Sequence, residues 1–157
     1  METTFVILKP GTVQRGLIGE VINRFERKGL QLVGMKLQQL TPKILTEHYS
    51  HLASKSFFPA ILASMMASPV VLCCWRGVDA VRVVRSLCGV TNSRDALPGT
   101  IRGDYGMSVQ ENVVHASDSV ETAIEEVKRF FKPEEIFEYS PLNQRFVYSS
   151  DELSKKD

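Results

Sequence analysis

The sequence has no hydrophobic run longer than a strand. Its longest apolar stretches, residues 5–8 and 70–75, are strand-sized, so neither a transmembrane helix nor a signal peptide is expected. An excess of charge of one sign is also missing. Nineteen Lys and Arg against eighteen Asp and Glu leave a net charge of +1, which gives no overall attraction to nucleic acid or to a membrane. Cysteine is scarce and odd in number: Cys73 and Cys74 lie inside an apolar run, and Cys88 follows a helical pattern. No Cys-x-x-Cys pair occurs, so a disulfide framework or a zinc site is not expected. Small buried thiols in a cytoplasmic protein are expected instead. Repeats, low-complexity blocks and linkers are absent as well, and 157 residues of ordinary composition read as one domain with a real core.

Two nucleotide-binding glycine motifs fail. Gly11 and Gly16 have P-loop spacing, but Leu17-Ile18 stands where Lys-Ser/Thr is required. No Gly-x-Gly-x-x-Gly follows a strand, which removes the Rossmann fingerprint. His48 and His51 share a helix without a His-Glu-x-x-His order or an evident third ligand, so no protein-held metal is expected.

What is present alternates strands with helices. Residues 3–8 form a strand apolar on both faces, ending at Lys9-Pro10-Gly11 with a loop to Gly16. A helix follows with Leu17, Ile18, Val21, Ile22 and Phe25 inward and Gly29 as its C′ residue. A strand over residues 31–40 alternates Val33, Met35 and Leu37 with polar neighbours. Thr41-Pro42 caps a helix carrying Ile44, Leu45, His48 and Leu52, and Phe58-Pro59 opens another. Residues 70–75 make the third strand and residues 78–88 a further helix. From Gly89 to Gly106 there is no period, a length that is usually functional or disordered. Arg94, Leu97, Ile101 and Arg102 within it argue against disorder. A fourth strand and a last long helix close the domain, and residues 149–157 read as a loose polar tail. The expected class is α/β (α+β): a ferredoxin-like split βαβ with a four-stranded antiparallel sheet covered by helices.

The chain is organised around residues 112–119, Asn-Val-Val-His-Ala-Ser-Asp-Ser. Val113 and Val114 end a buried strand, His115 follows, and the Ser117-Asp118-Ser119 cluster can cap a helix with Val120, Ala123, Ile124, Val127 and Phe131 on one face. A histidine at such a junction meets an anion-friendly helix end and can serve as base, metal ligand or nucleophile. Lys9, Arg85 and Arg102 are candidate anion clamps, and Tyr49, Thr91 and Asn112 candidate hydrogen-bond donors, though spacing alone does not bring them together.

The octapeptide resembles the active-site signature of the nucleoside diphosphate kinases. The likeness runs on through Lys9-Pro10, Val13-Gln14-Arg15-Gly16-Leu17, Glu47-His48-Tyr49, Phe57-Phe58, Pro69-Val70-Val71 and Pro98-Gly99-Thr100-Ile101-Arg102-Gly103-Asp104. It covers residues 3–148 in the right order, with a domain over 1–148 and the tail beyond.

This resemblance implies a ping-pong phosphotransferase that passes the γ-phosphate of a nucleoside triphosphate to a nucleoside diphosphate through a phosphohistidine. His115 matches the nucleophile, and Glu126 with Ser117 matches the pair that orients it. Lys9, Arg85 and Arg102 match the basic nucleotide-binding residues, assisted by Thr91, Tyr49 and His48. Phe57 and Val109 match the residues flanking the base, and Lys9 and Asn112 those on the sugar hydroxyls. Magnesium is implied on the nucleotide phosphates with no direct protein ligand. The implied partners are nucleoside di- and triphosphates and copies of the chain itself, as a hexamer in preference to a tetramer. Departures are Gly11-Thr12 after Lys-Pro, Ser93-Arg94 in the long loop, the polar C-terminus, and Ala116 where glycine usually follows the histidine. The Ala116 methyl restricts the backbone if a positive φ is required there.

Overall fold

The computed structural model describes residues 1–154. At its centre is β1 (Glu2–Leu8), whose Phe5, Val6, Ile7 and Leu8 are fully buried. Side chains alternate across a strand. Val6 and Leu8 therefore join Phe25, Trp75 and Val84 on one face, and Phe5 and Ile7 join Leu45, Met65 and Phe130 on the other. Burying a side chain of this size stabilises by about 1.5–3 kcal/mol, so helices are held on both faces.

The segment after Lys9, expected as a loop, holds the short helix α1 (Pro10–Gln14), with proline at its start. Helix α2 (Ile18–Lys28) ends on Gly29 at φ 99°, the left-handed cap expected there. The next strand is β2 (Gln31–Gln38), and the expected alternation breaks within it. A register shift between Leu32 and Gly34 turns Val33 into the Phe5 face. Met35 and Leu37 lie opposite Cys73 and Val71 and are 53% and 64% exposed.

Helix α3 (Pro42–His48) starts as expected, with Thr41 Oγ1 accepting from the Ile44 N–H, but does not reach Leu52. A 3₁₀ turn, Ser50–Leu52, intervenes before α4 (Phe58–Met66). Strand β3 (Val70–Gly77) and helix α5 (Ala80–Cys88) follow. The aperiodic segment after Gly89 contains one helix, α6 (Ile101–Tyr105), which Thr100 caps by accepting from the Gly103 N–H. Strand β4 (Val114–Ala116) and helix α7 (Val120–Phe130) complete the core.

The sheet order is β2-β3-β1-β4 with every pairing antiparallel, the arrangement expected of a ferredoxin-like split βαβ. Helix α7 is rotated from the expected face. Ala123, Glu126 and Phe130 are buried, whereas Val120 and Ile124 are 38% and 47% exposed. Within the expected tail, Ser150–Ser154 forms a short helix, α8, and residues 155–157 lie outside the described residues. Among the described residues no helix is long and apolar enough to cross a membrane.

Candidate active site

β4 pairs with β1, placing His115 opposite Ile7. Its neighbours Val114 and Ala116 join the Val6 face, so the imidazole points the other way, toward α7. His115 thus sits within the strand rather than just past its end, and Ser119 of the expected capping cluster caps α7 through the Thr122 N–H. The chain enters β4 through a tight turn in which the Val114 N–H donates to the Asn112 carbonyl at 2.8 Å. Val113 at its centre has φ 73°, a strained value for a β-branched residue. Positive φ therefore falls on Val113 and not on Ala116, whose methyl is accommodated in the strand.

The rotation of α7 explains the buried carboxylate. His115 Nε2 lies 2.8 Å from Glu126 Oε1, and the Ser117 hydroxyl donates to Glu126 Oε2. Ser117 is itself fixed by the Phe5 N–H at 3.2 Å. Burial works against ionisation of Glu126, but the hydrogen bonds from His115 and Ser117 outweigh it and hold the carboxyl below the usual glutamate range. An ionised carboxylate only accepts. Nε2 of His115 therefore carries the proton, and Nδ1 keeps the free lone pair.

Beside this group lies a cavity of about 350 Å³ lined by Lys9, Tyr49, Phe57, Thr91, Val109 and Asn112. Lys9 Nζ donates to Asn112 Oδ1 at 2.6 Å and to the Gln110 carbonyl at 2.9 Å, and Asn112 Nδ2 donates to the Thr91 carbonyl at 3.0 Å. Burial, and then the Arg102 charge, lower the Lys9 pKa to about 8. Phe57 and Val109 are half-exposed at the mouth. Burial and the Glu126 charge push the Tyr49 hydroxyl up to about 12, so it stays a donor. Tyr49 also lines the second cavity, which holds His48, His115 and Arg129.

Two predicted basic residues stand apart from these cavities. Arg85 pairs with Asp118 at 2.5 Å and faces a third cavity. Arg102 is 8% exposed and donates to the carbonyls of Gly89, Asn112 and Val114 at 2.8, 3.2 and 2.7 Å. It fastens the long loop to β4. His48 is buried with its ring 4.6 Å from His115. Two residues that the sequence reading passed over join the site. Asp118 was hidden in a cluster read as a helix cap, and Arg129 could have been found one turn after Glu126 on α7.

His48, His115 and Glu126 bring donor atoms within 4.8 Å of one another. The set does not fit magnesium, which takes oxygen ligands in an octahedron and keeps several waters. Here two donors are imidazoles, and both carboxylate oxygens are already engaged.

A family model described as nucleoside diphosphate kinase matches residues 2–136. The chain belongs to the nucleoside diphosphate kinase family. Its chemistry is accordingly transfer of a phosphoryl group between nucleotides, with a divalent cation. A nucleoside diphosphate kinase of Parabacteroides distasonis is 63% identical over 153 residues, covering 98% of this chain and 100% of that protein. Nucleoside diphosphate kinase B of Bos taurus is 46% identical over 147 residues, covering 94% and 97%. The halophilic enzyme of Halobacterium salinarum, solved in complex with CDP, superposes with a TM-score of 0.91 at 40% identity, covering 94% of this chain and 98% of that one. The four-stranded antiparallel sheet with its helices is the fold of this nucleoside diphosphate kinase family.

Proposed function

We propose that this nucleoside diphosphate kinase works by two in-line displacements through phosphorylated His115. Nδ1 attacks the γ-phosphorus of a nucleoside triphosphate, the Nδ1–P bond forms, and the bridging P–O bond breaks. The nucleoside diphosphate leaves with the electron pair on its β-phosphate oxygen. A second nucleoside diphosphate then reverses the step with its own β-phosphate oxygen as nucleophile. The observation that carries this reading is the 2.8 Å bond between His115 Nε2 and Glu126, which leaves Nδ1 as the nucleophilic nitrogen. Attack leaves the ring positive, and the Glu126 carboxylate bonded to Nε2–H stabilises that charge where it develops.

The remaining roles follow from chemistry and placement. Phe57 and Val109 flank the base, and stacking tolerates every base because each has a π-face. Lys9 and Asn112 reach the sugar hydroxyls. Arg85, Thr91, Tyr49, His48 and Arg102 meet the phosphates. Magnesium enters on the phosphate oxygens with the substrate, and the poor fit of the His48, His115 and Glu126 donors supports that reading.

The catalytic domain spans residues 1–148 in this reading, with 149–157 as a polar extension. The working assembly is a homo-oligomer, a hexamer rather than a tetramer. Exposed Met35 and Leu37 on the edge strand β2, and Leu97 and Met107 at 75% exposure, offer apolar surface for it. Sedimentation equilibrium measures the mass. Three buried, unpaired cysteines suit a reducing compartment, the cytoplasm.

Incubation with magnesium and γ-labelled ATP tests the mechanism. The protein should take up acid-labile, base-stable label and release it to an added nucleoside diphosphate. Equal labelling of His115→Asn would overturn the assignment.

A further inference from the structure

Arg129 has no place in the roles above. Its Nε donates to Glu47 Oε1 at 3.1 Å, and its Nη1 lies 3.4 Å from His48 Nδ1. His48 in turn places Nδ1 3.7 Å from Glu126 Oε1, the oxygen already bonded to His115 Nε2 at 2.8 Å. The other carboxylate oxygen is taken by Ser117. Two imidazoles therefore stand over one acceptor, with their rings at 80° to each other.

We propose that Arg129 is a positioning residue that keeps His48 from competing with His115 for Glu126. A guanidinium offers only donors, so the nitrogen it faces must accept. That fixes the His48 proton on Nε2 and leaves Nδ1 with nothing to donate to Oε1. The fixed tautomer puts the His48 proton on Nε2, a buried atom without a protein partner among the described residues. Without Arg129, the Nδ1–H tautomer gains Glu126 as a partner after a small ring shift. His115 then loses part of its hold, and its lone pair no longer points steadily along the line of attack. This inference rests on His115 being the nucleophile.

The titratable groups facing His48 are His115 on β4, Glu126 and Arg129 on α7, His51 on the 3₁₀ turn, and Glu47 and Tyr49 on its own segment. Burial, followed by His115, lowers its pKa to about 3, opposed by Glu126 and aided by Arg129 and His51. His48 is thus neutral at cellular pH, and its tautomer rather than its charge is what Arg129 controls.

The chain has three histidines, so ring ¹⁵N spectra of the whole protein resolve each tautomer. The wild type should show His48 protonated on Nε2, and Arg129→Met should move that proton to Nδ1. Phosphohistidine formation from Mg-ATP should fall by about ten-fold in Arg129→Met, the lower end of what loss of a histidine's outer partner costs. KM should hold steady, because the Phe57 cavity is not lined by Arg129. Arg129→Lys, which keeps a donor, should restore both tautomer and rate. It also serves if the methionine variant does not fold. An unchanged His48 tautomer, whether the rate falls or not, overturns the proposal. So does an unchanged rate with the tautomer moved. A wild type that takes no label on His115 would instead refute the nucleophile reading, which the tautomer measurement does not touch.

Discussion

The guanidinium of Arg85 and the carboxylate of Asp118 meet at 2.5 Å, and Asp118 lines both the Arg85 cavity and the one holding His115. A triphosphate reaching Arg85 competes with this carboxylate for the guanidinium. Both side chains are well exposed, and pairs of that kind contribute little. Asp118→Asn should therefore lower KM for nucleotides by about two- to five-fold, in keeping with an exposed pair worth up to ~1 kcal/mol. Steady-state kinetics at fixed ionic strength measure it. A raised KM would mean that Asp118 holds Arg85 in place instead.

Glu126→Gln keeps the shape of the support and removes its charge. Phosphorylation of His115 should slow on the order of 10²-fold, as when one preorganised electrostatic partner is lost. Quenched-flow labelling reads the first half-reaction directly. Ser117→Ala leaves Glu126 Oε2 buried without its donor and should cost about 1–3 kcal/mol of stability as well.

Lys9 makes nucleotide binding pH-dependent. Its folded pKa of about 8 means that the charge facing the nucleotide disappears as pH rises through that value. KM should rise above pH 8, and Lys9→Met should abolish that limb of the profile. Stability runs the opposite way. The unfolded chain keeps this proton up to about 10.5, whereas the folded chain has released it above about 8. Unfolding therefore takes up a proton between those values, and stability rises with pH across that window. The cost of the buried ammonium is fully present below it. Denaturant titrations at pH 7.5 and 9.5 on wild type and Lys9→Met test this.

Arg102→Gln should act mainly on the fold. It removes charge-assisted donors from three carbonyls, two of them in buried bonds. The expected loss is about 3 kcal/mol, and the melting temperature should drop by about 6–12 °C for a chain of this size. Calorimetry measures it.

The strands, most helix starts and the Gly29 cap were legible because each rests on local rules of periodicity and capping. Helix α7 was not, for a specific reason. Ala123, Glu126, Val127 and Phe130 follow helical spacing without a fault, but a carboxylate does not count as core until its partners are known. Those partners, His115 and Ser117, come from another element. Periodicity instead favoured Val120 and Ile124, which the sheet does not cover. Alternation misled on β2 because a single bulge shifts Val33 relative to Met35. Helix α6 is too short to show a period. Lys9, Tyr49, Thr91 and Asn112 were candidates by residue type, but only the family motifs placed them together, since nothing in their spacing joins Lys9 to Asn112. Arg129 lay outside those motifs.

β4 is an edge strand of three residues, and it carries His115. An open strand edge is a template on which another chain can build. Around Val114 that edge is closed without a further strand. The Val114 N–H turns back on the Asn112 carbonyl, and Arg102 occupies the Val114 carbonyl. One arginine stands in for the missing neighbour. The nucleophile's strand is thereby shielded from intermolecular β-pairing at Val114, one residue before His115.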